Sequence, residues 1–172
     1  LQRIHYFSSR QILSVQLKVA LLTDGIHPFV IGGMQRHSYY LCKYLAAAGI
    51  QVDLYHTCPS PVQRSIEYRE FFTETEIARI NFILVEWPES GVYPGHYLRE
   101  SYIFSKCLFE RMVALDPPDL IYAKGYTAWY LLKKGFNAPI VVNFHGVEFL
   151  QPGFSLPERL SQLLLRYPAL RQ

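Results

Sequence analysis

The chain has 172 residues, enough for one domain of ordinary size with a substantial core. Half of them are hydrophobic and 18% are charged, which excludes disorder and fits a globular α/β domain. The net charge is +3, and only Lys133-Lys134 places two basic residues side by side, so nothing argues for nucleic acid.

Cys42, Cys58 and Cys107 are odd in number and form no CxxC pair, which speaks against a metal site or disulfide framework and for a reducing, cytoplasmic setting. No apolar run approaches the roughly 20 residues that cross a bilayer. Thirteen tyrosines and eleven phenylalanines fit a large core, and are also compatible with a sugar-binding or lipid-adjacent face and peripheral membrane contact. Residues 1–16 hold Arg3 and Arg10 but lack the continuous apolar core of a signal peptide. They are expected to be a loosely docked leader to a domain over 17–172. A first residue of leucine suggests a piece of something longer.

From Leu17 apolar runs alternate with amphipathic stretches, predicting a Rossmann-like parallel sheet with helices on both faces. Residues 18–23 are the first strand, nearly all apolar and therefore central. After Asp24-Gly25-Ile26-His27-Pro28 a helix is predicted over 33–48. Met34, Leu41, Tyr44, Leu45 and Ala48 form its buried face, and Gly49 stops it. Residues 51–56 are the second strand, and the polar stretch to Thr75 is loop plus a weak helix. A third strand over 80–85 leads into an irregular Pro/Gly segment, then a long helix over 96–115. A strand at 119–123, a short helix at 127–134, a strand at 139–144 and a last helix at 156–166 complete the pattern.

The residues able to carry chemistry follow the strands. Gly32-Gly33 precede the first helix, whose unpaired N–H groups and partial positive charge attract anions. Glycine lets the backbone approach a diphosphate with no Cβ between them. The pair is neither GxGxxG nor a P-loop, and glycines that only shape a loop explain it equally well. Arg36 and His37 add positive charge in the first turn; solvation of Arg36 and helix packing of His37 are the alternatives. His145, directly after the fifth strand, can donate to a sugar hydroxyl or leaving oxygen, or act as acid or base. Gly146 beside it favours that reading over a histidine satisfied by loop backbone. Glu148 can orient the imidazole, bind a hydroxyl, or be a plain charge near the last helix. Lys124-Gly125-Tyr126 shares the edge, with Lys124 either a contact for phosphate or acceptor, or a solvated lysine. Glu86-Trp87 is a weaker candidate, and Tyr93, Tyr97 and Tyr102 line either an acceptor groove or the core. No Gly-x-Ser-x-Gly, HExxH or Asp-x-Asp occurs, against hydrolase, zinc-protease and metal-bridged transferase readings.

These residues resemble glycosyltransferase family 4. Val19-Ala-Leu-Leu-Thr-Asp-Gly25, Gly32-Gly33-Met34-Gln35-Arg36-His37, Leu41, Leu45-Ala-Ala-Ala-Gly49 and Val52 look like its opening. Pro118-Asp-Leu-Ile-Tyr-Ala-Lys-Gly125 and Pro139-Ile-Val-Val-Asn-Phe-His-Gly146 look like its later strands, and the similarity runs over residues 18–166. The resemblance implies one half of a GT-B architecture, in which two Rossmann-like domains hold donor and acceptor between them. It implies a retaining, metal-independent reaction with no cofactor, the nucleotide-sugar being the donor substrate. Gly32 and Gly33 would approach the donor diphosphate, and His145, the catalytic candidate, the donor sugar, with Glu148 beside it. Arg36, His37, Lys124, Tyr126 and Tyr93 are the acceptor-side candidates. The expected acceptor is a sugar or a lipid-linked acceptor. Most donor binding, with the paired glutamates of an E-x7-E motif, belongs to the carboxy-terminal half. After Gln151 the chain has one acidic residue, Glu158. The expected function is therefore an acceptor-side transferase domain, inactive without its other half in cis or as a separate chain. The alternative is a non-catalytic binding or interaction domain on the same fold. An oxidoreductase would need its glycine fingerprint directly after the first strand.

Overall fold

The computed structural model describes residues 16–58, 67–93 and 95–144. Five strands, β1 (Lys18–Leu22), β2 (Gln51–His56), β3 (Ile80–Leu84), β4 (Leu120–Lys124) and β5 (Ile140–Asn143), form one sheet in the order β3-β2-β1-β4-β5. Every pairing is parallel, and Val19 stands between Val52 on one side and Leu120 on the other. The near-continuous apolar run of β1 is explained by that central place: Val19 to Leu22 are buried, with layers packed on both faces. Successive side chains point to opposite faces. Ala20 and Leu22 join Tyr55, Phe104, Leu108 and Leu131 on one side, and Leu21 joins Cys42, Ala46, Val52 and Leu54 on the other.

The helices are α1 (Gly33–Ala47), α2 (Glu74–Ile77), α3 (His96–Met112) and α4 (Trp129–Lys134). The buried face of α1 differs from the expected one. It carries Gln35, Ser38, Cys42 and Ala46, while Tyr44 is 71% exposed and Ala48 is also exposed. Two of the four buried residues are polar and satisfied by hydrogen bonds at the sheet edge, so an apolar pattern misplaces the stripe by one residue. The weak helix after β2 resolves into a 3₁₀ turn at Tyr68–Glu70 and α2. Thr73 and Glu76 close a reciprocal capping box on α2. Helix α3 ends at Met112 rather than 115, because the next amides, Ala114 and Leu115, bond three residues back to Arg111 and Met112. The helix expected at 127–134 is a 3₁₀ turn, Gly125–Ala128, followed by α4. Residues 1–15 of the expected leader and the expected helix at 156–166 lie outside the described residues.

His56, at the end of β2, is fully buried. Its Nδ1–H donates to the Thr57 carbonyl at 3.0 Å, so Nε2 accepts from the Tyr68 hydroxyl at 2.9 Å. The ring is thereby held neutral, and burial lowers its pKa to about 4. The unfolded chain binds this proton near pH 6.5, so stability is present above that value and lost as pH falls toward 4. The loss amounts to about 3 kcal/mol for His56 alone. Urea unfolding at pH 7 and pH 4.5 checks it: the midpoint should fall steeply in the wild type and clearly less in His56→Gln.

Candidate functional site

Because all five strands are parallel, their carboxyl ends share one edge. The chain moves outward through β2 and β3 on one side of β1, then through β4 and β5 on the other. The crevice between the ends of β1 and β4 is where this topology binds ligands.

On the β1 side, Thr23 is fully buried and its Oγ1 donates to the Gly25 carbonyl at 2.8 Å. Gly25 has φ +142°, and a Cβ there would come within 2.5 Å of Val30 Cγ2, so glycine is required for the loop to turn back. Gly32 has ordinary extended backbone, but a Cβ on it would collide with Gln35 Oε1. The buried Gln35 is itself fixed, its Nε2 donating to Asp24 Oδ1 at 3.0 Å. Gly33 is different. It opens α1, and a Cβ there would meet nothing within 4 Å. The N-cap residue of α1, Gly32, has no side chain to cap it, so the first-turn amides, which have no acceptor inside a helix, receive none from that position.

On the β4 side stands Lys124, the last residue of the strand and 2% exposed. Its Nζ donates to His37 Nδ1 at 2.6 Å, which requires a neutral imidazole with its proton on Nε2. Burial lowers the Lys124 pKa to about 8, against the attraction of Asp24. Burial, and then the charge of Lys124, lowers that of His37. Burial raises that of Asp24, although Gln35 and Lys124 oppose it. A lysine whose pKa is lowered to about 8 thus sits near a carboxylate whose pKa burial raises and beside a neutral histidine.

Over these groups lies a small open cleft whose room for water is about 20 Å³. Asp24 and Met34 line it from the β1 side, Lys124, Tyr126 and Thr127 from the β4 side, and Trp87 and Tyr97 from the segment after β3 and the start of α3. The buried Glu100 fixes that segment. Its Oε1 accepts from Ser90 N and Oγ, both at 2.9 Å, and Oε2 accepts from Trp87 Nε1 at 3.4 Å.

The structure brings Lys124 against His37, and Lys124 and Tyr126 line one cleft with Met34, the residue after Gly33. It corrects the solvated reading of Lys124, because α1 and the 125–128 turn cover the end of β4. Arg36 is exposed on α1. Tyr93 does not line the cleft; its hydroxyl donates to Ser90 Oγ and accepts from Arg99, both at 3.3 Å. Tyr97 does line it, whereas Tyr102 packs on Trp129 and Tyr130. His145 and Glu148 lie outside the described residues; β5 ends at Asn143 on the same edge. Sequence reasoning passed over Asp24, taken only as a strand breaker, although an acid before a glycine at a strand end is a legible signal. It had no means of finding Ser101 or Thr127. Among the described residues no three His, Cys, Asp or Glu side chains gather as metal ligands, and no helix is long and apolar enough to cross a membrane.

Comparison with curated proteins finds no match. Among solved structures, a UGT transferase from Siraitia grosvenorii, crystallised with UDP, is 13% identical at a TM-score of 0.50, over 74% of this chain and 28% of that one. The chain spans little more than a quarter of that protein, and the likeness is one of fold. The carboxy-terminal domain of a hydrogenase from Pyrococcus furiosus is 15% identical at a TM-score of 0.44, over 74% of this chain and 91% of its own. The model of glycosyltransferase family 4 matches residues 31–171. A Rossmann-like sheet whose residues match that family over most of their length leaves one assignment: the chain belongs to glycosyltransferase family 4.

Proposed function

We propose that the chain is the acceptor-side domain of a retaining, nucleotide-sugar-dependent transferase that works only with a carboxy-terminal donor-binding half. That half is joined in cis or supplied as a separate chain. The observation that carries this reading is the pairing of an uncapped α1 start, open at Gly33, with the buried cation of Lys124 across the β1–β4 crevice. Amides and cation converge where a diphosphate gains most, because charge is stabilised most strongly in a site shielded from water. Gly32 and Gly33 approach the donor diphosphate. His145 contacts the donor sugar, with Glu148 orienting it. His37, Tyr126, Arg36 and Tyr93 serve the acceptor. No metal or other cofactor takes part. The protein works in the cytoplasm, at the membrane surface when its acceptor is lipid-linked.

Such a reaction stabilises a departing diphosphate and a cationic sugar from both cleft walls. The 172-residue chain supplies one wall. Assayed with a panel of nucleotide-sugars, it should transfer no sugar alone, become active with the donor-binding half restored, and fall sharply in His145→Ala. Turnover by the chain alone would overturn the need for a second wall. An unimpaired His145→Ala would remove that residue from the site. Inactivity of the restored protein would favour a binding domain.

A further inference from the structure

Helix α3 turns one face to the cleft, for Tyr97, Ser101 and Phe104, spaced by four and three residues, all line it. Ser101 is 3% exposed, and its Oγ has no hydrogen-bond partner among the described residues. The other buried serines behave differently. Ser38 donates back to the Met34 carbonyl at 2.9 Å, the usual recourse of a helical serine. Ser105, one turn beyond Ser101, donates to the Thr127 carbonyl and accepts from Tyr130 N, both at 2.8 Å. Folded proteins keep few buried hydroxyls without a partner, because each gives up its bonds to water and receives nothing in return.

The cleft has room for about 20 Å³ of water. One water molecule needs roughly 10 to 15 Å³ and two to four polar neighbours. Asp24, just after β1, and Lys124, at the end of β4, line the same space, so polar groups from three elements surround it. An apolar occupant would strip water from all three and return no bond. We infer that the cleft is a hydration site, in which one ordered water accepts from Ser101 Oγ, turns its oxygen to the Lys124 ammonium and directs a hydrogen to Asp24. The site stands on this geometry whether or not the chain transfers sugar. Ser101 is then a positioning residue that acts on Lys124 through the water. The oriented water dipole favours the charged form of the lysine, which burial opposes.

Two measurements on the 172-residue chain test it. A high-resolution crystal structure should show one water within hydrogen-bond distance of Ser101 Oγ, between Lys124 and Asp24. The second follows the Lys124 side chain by ¹³C NMR through a pH titration, in the wild type and in Ser101→Ala. Alanine suits a helix interior, so the variant should fold. With the anchor of the water gone, Lys124 should hold its proton about three- to tenfold less tightly than in the wild type, where its pKa is about 8. Among the described residues Asp24 after β1, His37 on α1, Tyr97 on α3, Tyr122 on β4 and Tyr126 in the next turn lie around Lys124. All five are common to both proteins, so the difference between the two titrations reports Ser101. The inference is overturned if no water bonds to Ser101 Oγ, or if Lys124 titrates in Ser101→Ala as it does in the wild type.

Discussion

Lys124→Met in the restored enzyme is expected to lower sugar transfer by about 10² to 10³, the usual loss when one preorganised electrostatic contact is removed. Methionine has nearly the length of lysine and no charge, so it fills the buried space at the end of β4 while removing the cation from the crevice. The fold should survive, because burial already disfavours the lysine charge. Asp24 should answer by titrating higher, since the field of Lys124 now opposes its burial. The pH dependence has a definite sign. Below about 8 the lysine is protonated in the ligand-free protein and attracts phosphate; above that value it loses its proton and anion binding weakens. The decline approaches tenfold per pH unit at most, the limit for a single proton. A profile of kcat/KM from pH 6 to 10 should show this fall in the wild type and lack it in Lys124→Met. An undiminished rate in the variant would place the diphosphate elsewhere.

Gly33→Val separates folding from function. A Cβ at position 33 meets nothing within 4 Å, and the residue has an ordinary helical backbone, so the fold has no steric need for glycine there. Glycine in fact costs a helix interior about 1 kcal/mol relative to alanine, and valine at the helix start should leave the melting temperature close to that of the wild type. The side chain would nonetheless stand between a diphosphate and the first-turn amides. Anion binding should therefore fall by roughly 10² or more, the scale of one or more lost donors in a preorganised site. Gly25→Ala should do the opposite. The close approach of Val30 and a φ of +142° make it a folding lesion first.

The sheet was legible because β1 and β4 are short, mostly apolar runs bounded by Gly, Pro and Asp, and their places within the sheet require that pattern. The buried side of α1 was not. Gln35 and Ser38 look like solvent-facing residues until the end of β1 brings Asp24 to accept from Gln35 and Thr23 to hydrogen-bond with Ser38. The same limit applies to Lys124. A lysine after a strand reads as solvated, and only the return of α1 over the crevice, 87 residues earlier in sequence, shows that His37 accepts its hydrogen bond. Gly33 was legible as a glycine, but its meaning was not: pattern reading cannot tell a glycine needed for φ from one needed for space. Trp87 and Ser101 come together only through α3 folding against β3 and β4, a long-range event with no local signature.

The central claim is that the β1–β4 crevice, headed by the α1 amides and Lys124, is an anion site. Titration of the ¹⁵N-labelled chain with inorganic pyrophosphate at pH 7, followed by amide chemical shifts, tests it most directly. The largest saturable shifts should fall on Gly33, Met34, Gln35 and the Lys124–Gly125 segment, and should vanish in Gly33→Val and weaken in Lys124→Met. Saturable shifts centred elsewhere, or shifts at these amides that persist unchanged in Gly33→Val, would contradict it.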